Sequence, residues 1–525
     1  MRTITRHAPN GMVASVDHLA SEAGLAMLRA GGTAIDAAIA ASGVLAVSAP
    51  HLCGMGGDLF ALVHFRGDTM PLALCAAGRA GSGADAARLR ADGHQTMPFT
   101  ADLRSAPVPG CVDGWLALHE RAGRLPLPTV LAPAIGLARD GFPASPMLAM
   151  AVVLLRGVAG TDDLVGPGSR RAGDRITRPG VAATLEAIAH DGRAGFYGGP
   201  FGEGLLQLGA GEYSRADLER PLADWVEPLV ARVWDHDVWT TPPCSQGYLT
   251  LLGAAIAEGL PLPHSSDDPE WAHLLVESAR AAAHDRPRVL HEHADVRPLL
   301  ATNAVAARRS GIRPDRRAML AAAGAAGDTM FLCAIDAERT GVSLIQSNAS
   351  GFGCMVFEPT TGIGLHNRGI GFSLEPGHPA EYGPGRRPPH TLSPAVVTRP
   401  DGSLRATVGT MGGDAQPQIV LQLLAHLLRH GRSAGGTIGA PRWALHAPAA
   451  SGFDTWTDAD AVRVAVEGDA PAAWADGLRD RGHEVDVETG MAAHFGHAHL
   501  IEVTPDGMLA GAADPRAKIS LAASY

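Results

Sequence analysis

The sequence predicts a layered α+β sandwich, and three features predict it. Helical apolar spacing dominates up to about residue 310 and strand-like runs dominate after 329, before a further helix, so helices should cover sheets rather than alternate with single strands. A chain of 525 residues that is 46% hydrophobic and 18% charged can fill more than one core layer. Glycine and alanine are abundant while aromatics make up 5%, so tight turns and close helix–sheet packing are expected.

Taken in order, residues 11–16 read as a short strand. Residues 18–31 and 33–48 read as two helices, the first with an apolar face at Leu19, Ala23, Leu25, Ala26 and Leu28, ended by Gly31-Gly32; Thr33 starts the second. His51 to Asp58 is a glycine-rich turn before a strand at 59–65. It lacks the Lys-Ser/Thr ending of a phosphate-binding loop and precedes a strand rather than a helix, so it reads as a tight structural turn. From 110 to 290 the pattern is mostly helical. Within it lie a polar loop at 162–179, a capped helix start at Tyr213–Leu218, a strand at 235–243 closed by Pro242-Pro243, and a helix at 269–287. Another helix is expected at 297–310. Strands follow at 330–336, 341–348, 363–366, 394–398 and 405–410, then a long helix at 415–430 and a closing strand pair at 499–504 and 508–512. No internal repeat is present.

Composition excludes several functions. A net charge of −11, with no basic cluster interleaved with aromatics, argues against a nucleic-acid partner. No run of about eighteen apolar residues suggests a membrane span. Lys518 is the one lysine, which disfavours a lysine nucleophile. Six scattered cysteines without a Cys-x-x-Cys pair, and an N-terminus without an apolar signal core, lead to the expectation of a cytoplasmic protein without disulfides. The histidine clusters His291-Glu292-His293 and His494, His497, His499 lack a cysteine or carboxylate at ligand spacing, so no metal and no other cofactor are expected. There is no Gly-x-Ser-x-Gly elbow and no Ser-x-x-Lys.

Gly327-Asp328-Thr329 carries the chemistry. Thr329 lies between a turn-prone, alanine-rich run and the strand pattern Met330–Ile335. If the bond before it is cut, Thr329 gains a free α-amine beside its own hydroxyl, a nucleophile and its base in one residue. Without that cut, Thr329 is a hydroxyl at the start of a strand.

A series of colinear matches resembles the gamma-glutamyltransferase (gamma-glutamyltranspeptidase) family. It begins with Gly11–Ser15, Ala20–Gly24 and Gly31–Ala38 and continues through Pro50-His51, Gly54–Gly57, Pro107–Gly110, Gly114-Trp115 and Leu137–Gly141. It resumes with Gln346-Ser347-Asn348, Gly351-Phe352-Gly353, Gly385–Pro388, Gly409–Gly413, Ala440–Trp443 and Asp514-Pro515-Arg516. Asn367-Arg368-Gly369 and His390-Thr391-Leu392 are similar to the bacterial glutathione hydrolase-like branch.

The resemblance implies the N-terminal-nucleophile hydrolase fold, a four-layer αββα sandwich. It implies self-cleavage between Asp328 and Thr329 into a large subunit (1–328) and a small one (329–525) that stay together as one structural unit. Thr329 would be the nucleophile, Ser347, eighteen residues on, a hydroxyl that orients it, and Gly412 and Gly413 the oxyanion hole. Read alone, Gly412-Gly413 is an ordinary strand-to-helix turn, and Ser347 a packed strand serine. The implied substrate is a small amide. The first reading is a γ-glutamyl compound such as glutathione, and the alternative is a non-glutamyl, carboxylate-bearing amide of oxamate or cephalosporin type. A non-catalytic ligand-binding relative is disfavoured because the catalytic positions survive.

The implied substrate-binding positions depart from the family. The family's asparagine two positions after the second hydroxyl is Ala349 here, with Asn348 adjacent. The Gln and Asp that hold a substrate ammonium fall on Arg368 and Gly371. Two carboxylate-binding serines fall on His390 and Thr391, and the carboxylate-pairing arginine has its nearest counterpart in Arg79, two residues out of register. The family's histidine two residues after the nucleophile is Phe331. A guanidinium at 368 suits a carboxylate rather than an ammonium, or else forms a structural ion pair.

Overall fold

The computed structural model describes residues 3–318, 330–447, 455–456, 461–489 and 495–525. Asp328, Thr329 and His494 lie outside these described residues.

Fourteen strands build two antiparallel seven-stranded sheets: β1 (Arg6–Ala8), β2 (Met12–Ser15), β3 (Asp58–His64), β4 (Leu72–Ala76), β5 (Asp224–Val226), β6 (Leu229–Val233), β7 (His236–Thr240), β8 (Met330–Ile335), β9 (Gly341–Ser347), β10 (Ala395–Thr398), β11 (Leu404–Thr410), β12 (Ala498–Val503), β13 (Leu509–Ala513) and β14 (Leu521–Ser524). The first sheet runs β14-β2-β8-β9-β3-β4-β5 and the second β1-β13-β12-β11-β10-β7-β6. Each sheet takes strands from both sides of position 328.

The alternation along β8 shows how the layers form. Met330, Leu332 and Ala334 join the core under one helical layer, while Phe331, Cys333 and Ile335 point into the gap between the sheets. Phe60 and Leu62 of β3, Ile345 of β9, Val396 of β10 and Ile501 of β12 fill that gap. A strand buried on both faces reads as an unbroken apolar run. Phe331 is fully buried, lies parallel to the His499 ring at 6.2 Å, and packs against Gly409, where a Cβ would come within 2.5 Å of its ring. The residue standing in for the family histidine therefore fills the inter-sheet core.

Helices α1 (His18–Arg29), α2 (Ala34–Ser48), α3 (Cys111–Ala122), α4 (Leu127–Asp140) and α5 (Pro179–Asp191) cover the outer face of the first sheet. Helices α6 (Tyr248–Glu258), α7 (Pro269–Ala283), α8 (Gln416–Leu424) and α9 (Ala472–Asp480) cover the second. The result is the expected αββα sandwich. α2 is buried along its whole length, which its alanine, serine and glycine side chains permit, and Thr33 and Asp36 close its N-terminus with a capping box.

Several local expectations need correction. The stretch 110–290 holds two sheet-edge strands, β5 and β6, as well as helices. The 162–179 loop contains a helical turn at Asp162–Val165 and a short strand, Arg175–Ile176. The helix expected over 297–310 divides into Arg297–Leu300 and Thr302–Ser310. The strand at 363–366 shrinks to Ile363–Gly364, paired with Phe357–Glu358. The helix at 415–430 is α-helical through Leu424 and widens into a π turn at Ala425–Arg429.

Candidate active site

The site residues gather where β9 ends and β3 and β8 begin. Ser347 closes β9 and is the ladder partner of Asp58, the first residue of β3; Met330 opens β8 opposite Gln346. The Ser347 Oγ accepts the Ala349 N–H at 2.8 Å, holding the chain in a turn where Ala349 takes φ 72°. Asn348 is buried, and its Nδ2 donates to the Pro50 carbonyl at 3.2 Å. The glycine-rich turn packs directly on this corner. A Cβ on Gly57 would sit 2.2 Å from the Ser347 carbonyl, and one on Gly56 2.0 Å from that of Gly364. Those glycines serve close backbone approach, as the structural-turn reading expects.

Asp58 is the hub that sequence reasoning missed. Its Oδ1 accepts N–H groups from Gly78 (2.8 Å) and Gly110 (3.1 Å), and its Oδ2 accepts His390 Nε2–H at 3.0 Å; His366 Nδ1 lies 3.4 Å from the same oxygen. Burial alone would raise this carboxyl; His366 and His390, with the Gly78 N–H, outweigh burial and hold it below the usual carboxylate range. The His390 Nδ1 faces the Leu392 N–H at 3.5 Å, so the proton sits on Nε2 and the ring is neutral. Burial agrees, pushing His390 down to about 4. The one available signal was an acid at the head of an otherwise apolar strand, Asp58-Leu59-Phe60-Ala61-Leu62-Val63.

Arg368 occupies a short 3-10 turn, Arg368–Gly371, and is buried. Its Nη1 donates to Thr391 Oγ1 at 3.1 Å. Burial, with Arg286 nearby, lowers it to about 10, against the opposing pull of Asp414 and Asp58. At Gly371 a Cβ would lie 2.4 Å from the Pro389 carbonyl. An aspartate cannot enter there without moving backbone.

Gln246, also unforeseen, ties the two halves of the site. Its Nε2 donates to the Thr391 carbonyl (3.2 Å) and the Gly413 carbonyl (2.9 Å). Gly412 at φ 130° and Gly413 at φ 58° form the turn from β11 into α8. Met411 N–H goes to the His497 carbonyl and Ala415 N–H to that of Gly412, while no described acceptor takes the N–H groups of Gly412 and Gly413. Two free donors at a helix N-terminus form an anion-stabilising corner.

Arg79, one residue past the Gly78 N–H that Asp58 accepts, is held in an ion pair. Its guanidinium donates to Glu292 at 2.6 Å and the Gly385 carbonyl at 2.9 Å. Glu292 of the first histidine cluster is thereby the partner of Arg79. His497 and His499 are buried near Asp514, and among the described residues no three histidine, cysteine or acidic side chains converge as a metal site. All six cysteines are buried free thiols, and no described helix is long and apolar enough to cross a membrane. The matched segments 440–443 and 514–516 meet as a buried charge cluster. Arg442 pairs with Asp514 at 2.8 Å, and Arg516 pairs with Glu467 at 2.5 Å and Asp514 at 3.2 Å.

The αββα sandwich with this strand-end site is the architecture of N-terminal-nucleophile hydrolases. Within that class, the family model described as gamma-glutamyltranspeptidase matches residues 20–524, and the chain belongs to that family. It is 35% identical to an oxamate amidohydrolase proenzyme of Klebsiella pneumoniae subsp. pneumoniae, over 98% of either chain. It is 33% identical to a glutathione hydrolase-like proenzyme, YwrD, of Bacillus subtilis, over 96% of this chain and 97% of that one. The crystal structure of cephalosporin acylase from Bacillus halodurans matches with a TM-score of 0.89 and 30% identity, covering 100% of this chain and 97% of the other.

Proposed function

We propose that this protein is a self-processing N-terminal threonine amidohydrolase for a small amide whose acyl group carries a free carboxylate and no α-ammonium. In processing, Thr329 Oγ attacks the Asp328 carbonyl, the Asp328–Thr329 C–N bond breaks to leave an ester while the Thr329 nitrogen takes the hydroxyl proton and becomes the free amine, and water hydrolyses the ester to free the Thr329 hydroxyl and the Asp328 carboxylate. In turnover, Thr329 Oγ attacks the substrate amide carbonyl while its α-amine takes the hydroxyl proton. The Gly412 and Gly413 N–H groups stabilise the oxyanion, each donor worth about 3–4 kcal/mol. The amine leaves with the proton, and water releases the acid from the acyl-enzyme. Ser347 orients the nucleophile. Asn348 shapes the strand-end turn, and His390 and Arg79 brace the pocket through Asp58 and Glu292.

One observation carries the substrate class: Arg368 is buried against Thr391 while Gly371 leaves no room for an acid. A carboxylate there gains a charge-assisted pair, whereas an α-ammonium meets a like charge. The oxamate-directed relative supports this reading. The glutathione hydrolase-like relative favours a second reading, hydrolysis of γ-glutamyl amides. The shared strands of each sheet support two subunits that remain one body after cleavage.

The test combines a denaturing gel and N-terminal sequencing of wild type and Thr329→Ala with ammonia release from oxamate and amine release from γ-glutamyl amides. A small chain beginning Thr-Met-Phe-Leu in wild type, an intact Thr329→Ala, and turnover of oxamate-type amides is the expected result. Preference for γ-glutamyl amides replaces the substrate reading, and a wild type that stays whole removes the mechanism.

A further inference from the structure

The last described residues before the processing segment are held unusually. Residues 313–316 are largely exposed, yet the chain that follows is tied to a fully buried ion pair. Glu277 and Arg280, one turn apart on α7 and 0% and 1% exposed, pair at 2.6 Å. Together they take both backbone polar groups of Ala318. Glu277 Oε2 accepts its N–H at 2.7 Å, and Arg280 Nη1 donates to its carbonyl at 2.9 Å.

The residues just upstream are secured too. The Arg317 N–H donates to the Arg481 carbonyl at 2.7 Å, and Arg481 Nε to the Pro314 carbonyl at 2.8 Å. His273 stands between His483 Nε2 (2.9 Å from its Nδ1) and the Arg313 carbonyl (2.7 Å from its Nε2). Because a carbonyl only accepts, His273 carries its proton on Nε2 and His483 donates to Nδ1, so two neutral rings suffice. Burial lowers both.

A buried ion pair is a poor way to gain stability, since apolar residues of similar volume often do as well. Here Arg280 also leaves Nε and Nη2 without a described hydrogen-bond partner, which adds to the cost. What the pair uniquely supplies is a donor and an acceptor that grip one residue of the tail, ten residues before Asp328.

We infer that Glu277 and Arg280 are positioning residues for self-cleavage: they fix Ala318 upstream of the Asp328–Thr329 bond while β8 fixes the chain downstream from Met330. This rests on the processing reading given above. The scissile bond lies one residue before Met330, so β8 sets its place, and the Ala318 anchor sets the fixed point from which the upstream chain must reach it, ten residues away. Releasing the anchor lengthens the stretch of chain between the two fixed points. Loop length alone matters weakly, so most of the effect comes from lost orientation of the attacking hydroxyl.

The test is a time course of cleavage in freshly made full-length chain, comparing wild type, Glu277→Gln and Ala318→Pro. Ala318→Pro deletes the gripped N–H and leaves the buried pair intact, so it decides the question even if Glu277→Gln folds poorly. Both variants are expected to cleave about tenfold more slowly, to give the same two chains, and to show wild-type kcat and KM per cleaved molecule. Ala318→Pro cleaving at the wild-type rate overturns the inference, and a lowered thermal midpoint with an unchanged rate reduces the pair to a structural one. A wild type that never cleaves overturns the processing reading instead, and the clamp with it.

Discussion

Arg368 and Asp58 do different work at the same few ångströms. Arg368 is a buried cation that donates to Thr391, and burial lowers it to about 10; a carboxylate beside it would gain a charge-assisted pair. Arg368→Met keeps volume and deletes that gain. KM for a carboxylate-bearing amide should rise about 10–100-fold, the worth of a hydrogen bond to a charged group, with kcat changed far less. Steady-state kinetics on the cleaved enzyme check this, and equal loss of kcat and kcat/KM would move Arg368 into transition-state stabilisation. Asp58 is a scaffold acceptor: Gly78, Gly110 and His390 all donate to it. Asp58→Asn turns one oxygen into a donor facing either a backbone N–H or the His390 ring. A buried donor–donor clash costs about 1–3 kcal/mol, so the thermal midpoint at pH 7 should fall together with activity. The Arg368 and Gly371 departures were legible because each is a single residue at a matched motif. The Asp58 hub was not, since its partners come from positions 78, 110, 366 and 390, and no local pattern marks four distant segments that meet only after the sheet forms.

At the element scale, the clearest dependence on backbone is the turn from β11 into α8. Gly412 at φ 130° lies where an L side chain is strained, whereas Gly413 at φ 58° lies in the left-handed region that other residues visit at modest cost. Gly412→Ala should therefore cost more than Gly413→Ala, both by swinging its own N–H away and by disturbing the start of α8. If that N–H is an oxyanion donor, kcat falls about 100–1,000-fold in molecules that have cleaved, measured as the acylation rate in single turnover. Retained kcat would return the turn to a purely structural role. The same scale shows why some elements were readable. The helix start at Thr33 and the apolar run of β8 announce themselves locally. β4, Leu-Ala-Leu-Cys-Ala, is as apolar and alanine-rich as the neighbouring helices, because a strand covered on both faces loses its two-residue alternation. The edge strands β5 and β6 are short and mixed in polarity, so nothing separated them from a helical background.

For the whole molecule, the sandwich buries histidines in a neutral state, and this sets its response to acid. Burial lowers His51 and His499 to about 3, His390 and His497 to about 4, and His483 to about 2. In the unfolded chain each titrates near 6.5. Between the folded and unfolded values the unfolded state binds more protons, so stability is fully present above about pH 6.5 and is lost as the pH falls. Each ring contributes up to about 1.4 kcal/mol per pH unit in that window. Asp514, held well below the usual range because Arg442 and Arg516 outweigh its burial, acts in the same direction but only below about pH 4, where its unfolded form gains a proton. Five such histidines together can remove several kcal/mol by pH 5.5, comparable to the whole stability of an ordinary domain. The Thr329→Ala precursor is the material to use, because a single uncleaved chain avoids subunit dissociation during unfolding. Its urea midpoint should be level from pH 7 to 8 and fall steeply from 6.5 to 5, with a pH slope that reports uptake of several protons on unfolding. A flat profile through that window would mean that these rings keep ordinary pKa values and that water reaches the two outer cores and the gap between the sheets. The four-layer packing, rather than any single contact, is what this measurement reads.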